Sequence, residues 1–102
     1  MLNYLDLLIE WTTNWNGAGR SGLSASARLG APDVGKRAAW LVLEGEDVAG
    51  QLTVWASGEC ELEAYRVPDG AVVLLEHRDL STADDLWSAC RALVVACGGL
   101  AA

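Results

Sequence analysis

From Gln51 to Ala64 apolar and polar residues alternate: Gln-Leu-Thr-Val-Trp-Ala, then Ser-Gly-Glu, then Cys-Glu-Leu-Glu-Ala. Side chains of a strand alternate between its two faces, so a period of two marks a pair of half-buried strands around a glycine turn. Leu52, Val54, Ala56, Cys60, Leu62 and Ala64 fall on one face. Thr53, Trp55, Glu61 and Glu63 fall on the other. A loop of Ser57 and Gly58 alone would set Trp55 against Cys60 and mix the faces. A Ser57-Gly58-Glu59 loop keeps them apart, pairing Val54 with Leu62 and Trp55 with Glu61. The pattern therefore predicts a hairpin with an apolar underside and positive φ at Gly58 or Glu59.

The flanking segments extend this unit. Leu2 to about Trp15 reads as a helix, with Asn3, Asp6, Glu10 and Thr13 as its polar stripe and Asn16-Gly17 as its end. Gly22 to Leu29 alternates as a first strand with Leu23, Ala25, Ala27 and Leu29 inward. Gly30 to Lys36 is a loop. Ala38 to Glu44 is a second strand with Ala39, Leu41 and Leu43 on one side and Trp40 and Val42 on the other. An acidic connection, Glu44 to Gly50, leads into the hairpin. Pro68-Asp69-Gly70 is a turn, and Ala71 to about His77 is a fifth strand whose Val-Val-Leu-Leu run leaves its faces open. Ser81 opens a second helix as its N-cap, Asp84 and Asp85 lie in its first turn, and Gly98-Gly99 stops it. The expected architecture is α+β: an N-terminal helix, a five-stranded, mainly antiparallel meander and a C-terminal helix, forming one domain over residues 1–102.

Charge narrows the partners. The net charge is −7, and six acids but no Lys or Arg lie between Glu44 and Glu63. Such a surface repels phosphate backbones and anionic membranes, so neither nucleic acid nor membrane is an expected partner. The three cysteines, Cys60, Cys90 and Cys97, have no metal-ligand spacing and read as buried thiols. The first residues lack the basic flank of a signal peptide, and no run reaches the roughly 20 apolar residues of a membrane helix. The expected location is the cytoplasm.

Candidate chemistry is sparse. Gly17-Ala-Gly19-Arg-Ser-Gly22 matches a dinucleotide fingerprint, but that fingerprint needs a strand before it and a helix after it, and the order here is reversed. It reads as a turn. Cys60 and His77 could form a nucleophile pair, yet Cys60 belongs to the apolar underside, where thiols are inert. Glu61 and Glu63 share a face without a pocket motif, and read as surface. No catalytic residue, cofactor or metal is expected. Five tryptophans in a chain with no phenylalanine carry more information. Trp11, Trp15 and Trp87 fit helix undersides, whereas Trp40 and Trp55 project to the face of Glu61, Glu63 and Tyr65. Aromatics rimmed by carboxylates on an open sheet face are the composition of a protein-binding surface. Both helices are expected on the opposite, apolar side.

The segment Leu52-Thr-Val-Trp-Ala-Ser-Gly-Glu-Cys-Glu-Leu-Glu-Ala64, with the Pro-Asp-Gly turn and Leu75-Glu-His-Arg-Asp-Leu80, resembles the TriTu family of bacterial immunity proteins. The likeness extends to the Trp-bearing first helix and the short last one, and is weakest over residues 16–39. It carries over onto Trp55, Ser57, Gly58, Glu59, Glu61 and Glu63. The resemblance implies a non-catalytic antidote that binds and occludes a cognate toxin, in this family an ADP-ribosyltransferase acting on elongation factor Tu. The expected contact residues are Trp40, Trp55, Ser57, Glu59, Glu61, Glu63 and Tyr65. A small acidic secretion chaperone or another protein-binding adaptor is the alternative, and the chaperone would show a dimer-forming apolar helix or strand edge.

Overall fold

Alternation governs the sheet: along its central strands every second residue is buried, and both helices lie on that buried side. A computed structural model describes residues 3–17, 23–30 and 37–98. The elements are α1 (Tyr4–Gly17), β1 (Ser24–Leu29), β2 (Ala38–Glu44), β3 (Val48–Trp55), β4 (Glu59–Arg66), β5 (Val72–Asp79) and α2 (Ala83–Ala96). The strands form one antiparallel sheet in the order β1-β2-β3-β4-β5, the meander expected from the sequence.

Helix α1 begins one residue after Asn3, which caps it instead of joining the polar stripe. Its carbonyl accepts from the Leu7 N–H, and its side-chain oxygen accepts from the Asp6 N–H at 3.2 Å. Asp6, Glu10 and Thr13 are exposed, while Tyr4, Leu5 and Leu8 are buried. Helix α2 is capped by Thr82, not Ser81. The Thr82 hydroxyl accepts from the Asp85 N–H, and the Asp85 carboxylate accepts from the N–H groups of Ser81 and Thr82. Those two donors hold the Asp85 carboxyl below its usual range. Either residue could cap with an aspartate three positions on. Thr82 is the one that turns Leu86, Ala89, Cys90 and Leu93 onto the sheet.

The central hairpin keeps its expected faces but not its register. Val54 pairs with Cys60 and Thr53 with Glu61, so Trp55 and Glu59 flank a loop of Ala56, Ser57 and Gly58. The expected pairing of Trp55 with Glu61 is displaced by two residues, which preserves the faces. Glycine sits at the last loop position, with φ 100° and its N–H bonded to the Trp55 carbonyl at 2.9 Å. A turn followed by one left-handed residue is a common three-residue hairpin loop, and it requires the glycine there. Ala56, expected inward, is exposed in the loop.

Other boundaries shift for similar reasons. β3 starts at Val48, shortening the expected acidic connection, because Gly45 donates its N–H to the Val48 carbonyl at 2.9 Å. Leu29, expected inward, is 42% exposed at the end of an edge strand. Residues 18–22 and 31–36, the glycine-rich segment and most of the following loop, lie outside the described residues.

The core joins Leu8 of α1, Leu41, Leu43, Leu52, Val54, Cys60 and Leu62 of the sheet, and Leu86 and Leu93 of α2, all with no solvent exposure. α1 packs on β1, β2 and β3, and α2 on β3, β4 and β5. Gly50 allows the second of these contacts. A Cβ there would lie 2.7 Å from Leu93 Cδ1 and 2.9 Å from Cys97 Sγ. Gly50→Ala is therefore expected to overpack this seam and lower stability by about 1–3 kcal/mol in urea unfolding. An unchanged midpoint would mean that α2 does not sit this close.

Candidate protein-binding face

Both helices pack on one side of the sheet, and among the described residues no element packs on the other, open side. Pairing places residues there in transverse rows. One row runs Arg28, Trp40, Thr53, Glu61, His77, and the next Val42, Gln51, Glu63, Leu75. Trp55 pairs with Ala38, diagonal to Trp40. Both indoles are half-buried, and neither α1 nor α2 packs on their side of the sheet. A Cβ on Gly30 would lie 3.2 Å from the Trp40 ring, so that ring rests against the Gly30 backbone. Ala38, though on the open face, is 6% exposed in this corner.

Beside the indoles lies a carboxylate stripe. Glu59, Glu61 and Glu63 are successive open-face residues of β4, and Tyr65 follows them. The Tyr65 hydroxyl donates to Glu63 Oε2 at 2.6 Å, which pushes the phenol's pKa up. The Ser57 hydroxyl donates to Glu59 Oε1 at 3.0 Å. His77 stands between two acids, with Nδ1 2.8 Å from Glu61 Oε1 and Nε2 3.1 Å from Asp79 Oδ1. Both nitrogens can donate only in the imidazolium form, so the bond to Glu61 and then that to Asp79 raise its pKa.

The sign follows from that shift. The bonds of the charged ring contribute in full below the ordinary histidine range and are lost as pH rises through the raised value. The face then loses one positive charge. An NMR titration is expected to place His77 above its ordinary 6.5, and Glu61→Gln should move it back down. An unmoved value in Glu61→Gln would mean that the ring and Glu61 do not pair.

The sheet thus brings Trp40, Trp55, Glu59, Glu61, Glu63 and Tyr65 onto one surface, with Ser57 in the adjoining loop. It separates Cys60 from His77: Cys60 pairs with Arg78 and is fully buried beneath the sheet, while His77 projects from the open face. Burial pushes the Cys60 thiol up to about 12, which leaves it protonated. Among the described residues no group of three His, Cys, Asp or Glu could hold a metal, and no helix is long and apolar enough to cross a membrane.

β5 adds contacts that the sequence left unassigned. A bulge near Ala64 and Tyr65 sets Leu74, Glu76 and Arg78 on the covered side, and Leu75, His77 and Asp79 on the open one. The signal was present in the alternation of Glu-His-Arg-Asp, but the four apolar residues before it masked the phase. On the covered side a groove of about 520 Å³ runs between β5 and α2, lined by Leu74, Arg78, Arg91, Ala92 and Val95 among others.

A family model described as immunity protein TriTu matches residues 6–96, which span every strand and nearly all of both helices. No curated protein matches the chain.

Proposed function

The chain belongs to the TriTu family of immunity proteins, and from that premise we propose that it binds a cognate toxin domain through the open sheet face and occludes it. The observation that carries this reading is the pair Trp40 and Trp55, on the side of the sheet away from α1 and α2 and bordered by Glu59, Glu61 and Glu63. Rigid aromatics supply apolar area that is desolvated on contact, and the carboxylates supply direction and attraction. By the resemblance, the toxin is an ADP-ribosyltransferase that uses NAD to modify elongation factor Tu. A cleft that attracts anionic NAD is complementary to an acidic face. Occlusion needs no catalytic group, and the antidote works in the cytoplasm, where the toxin's target resides.

Co-purification with the neighbouring toxin domain tests the partner, and charge reversal tests the surface. Glu61→Lys with Glu63→Lys is expected to slow association at least tenfold at low salt and flatten its ionic-strength dependence. The melting temperature should hardly change, since both carboxylates act at the surface. Association at the wild-type rate in low salt would remove this face as the interface.

A further inference from the structure

Among the described residues β1 and β5 form the two borders of the sheet, and they differ. β1 offers Ser24, Ser26 and Arg28 on the open side, a short and polar border. β5 offers a consecutive Val-Val-Leu-Leu run, with Leu75 72% exposed and Val72 and Val73 also exposed. Polar or charged edges discourage strand addition, and apolar ones invite it.

The hydrogen-bond phase shows which groups this edge presents. Leu80 donates its N–H to the Gly58 carbonyl at 2.8 Å, in line with the pairing of Cys60 with Arg78 and of Leu62 with Glu76. In an antiparallel pair the bonded rungs alternate with unbonded ones, so the even-numbered residues of β5 face β4. Leu75, His77 and Asp79 therefore direct their N–H and C=O groups outward, along the border of the open face. Leu75 stands next to Glu63 in that face, and His77 next to Glu61.

A strand laid along this edge would alternate between two environments. Its open-face side chains would run beside Leu75, His77 and Asp79. Its other side chains would enter the groove against Leu74, Ala92 and Val95, the last 51% exposed, with Arg91 on the exposed surface of α2 nearby. Arg78 is already engaged by Glu76 and Ser88. The complementary segment is extended, apolar toward Val95 with an acid for Arg91, and basic on the side of Asp79.

We infer that the toxin contributes such an extended segment, which adds to β5 as a sixth strand while the open face meets the toxin's body. This rests on the toxin-binding reading above and deepens it. Main-chain bonds along the edge supply affinity, and alternate side chains supply selectivity.

Leu75→Pro removes one outward N–H without removing any bond to β4, and proline is tolerated on edge strands. Val95→Arg fills the groove from an exposed helix position and leaves the edge intact. Each variant is measured for toxin binding, with circular dichroism and thermal melting to establish folding, and with Trp55→Ala in parallel. Strand addition predicts at least tenfold weaker binding for both variants with near-native melting, and if Leu75→Pro does not fold, Val95→Arg decides alone. Wild-type binding by Leu75→Pro and Val95→Arg beside a weakened Trp55→Ala would overturn strand addition and keep the face. Wild-type binding by all three would overturn both. A free protein that is dimeric, and that Leu75→Pro makes monomeric, would assign this edge to a second copy and also overturn the inference.

Discussion

Replacing Gly58 with valine is expected to lower the free energy of unfolding by about 2 kcal/mol or more. Gly58 has φ 100°, a conformation that a β-branched residue adopts only under strain. Space is lacking as well, since a Cβ would lie 2.8 Å from the Leu80 carbonyl oxygen and 3.4 Å from the Tyr4 ring. The Gly58 carbonyl accepts the Leu80 N–H at 2.8 Å, so the hairpin tip is held between the start of α1 and the entry to α2. Gly70 separates the two costs. Its φ is 71°, but a Cβ there meets nothing within 4 Å, so Gly70→Val should carry only the backbone cost. Urea unfolding of the two variants checks this. Equal losses would show that the contact with Leu80 adds nothing.

The second large effect concerns binding. Trp55→Ala is expected to weaken toxin binding by about 2 kcal/mol or more, the range of an interface anchor. Trp55 is half-buried on the open face, diagonal to Trp40, and belongs to no core cluster under the helices. Truncating a core tryptophan would instead cost about 3–5 kcal/mol of stability and leave the affinity of the folded protein intact. Calorimetry of binding and of unfolding on this one variant distinguishes an anchor from a core residue.

Where one face of a strand is apolar and the other polar, the sequence carried the structure. β2, β3 and β4 alternate cleanly, and the faces of Trp40, Trp55, Glu61 and Glu63 were legible from parity alone. Parity could not fix the register, because a shift by two residues leaves every face unchanged. The position of Gly58 within its loop decided it. At β5 the Val-Val-Leu-Leu run has no phase, and the bulge beside Tyr65 breaks the count from β4. His77, Leu75 and Asp79 were therefore missed as members of the open face. The helix caps failed for a local reason: Asn3 and Thr82 each sit three residues before an aspartate that returns the bond, a pairing obscured by the neighbouring Ser81 and Leu2.

The tryptophans supply the most direct measurement of where the toxin sits. Of the five, Trp40 and Trp55 lie on the open sheet face, while Trp11 and Trp15 stack on α1 and Trp87 belongs to α2. Each indole N–H gives its own cross-peak in a ¹H–¹⁵N spectrum of the free protein, and titration with the toxin domain reports on both sides of the molecule at once. Binding through the open face predicts that the Trp40 and Trp55 signals shift or broaden while those of Trp11, Trp15 and Trp87 stay in place. Perturbation of the helix tryptophans with Trp40 and Trp55 unmoved would contradict it.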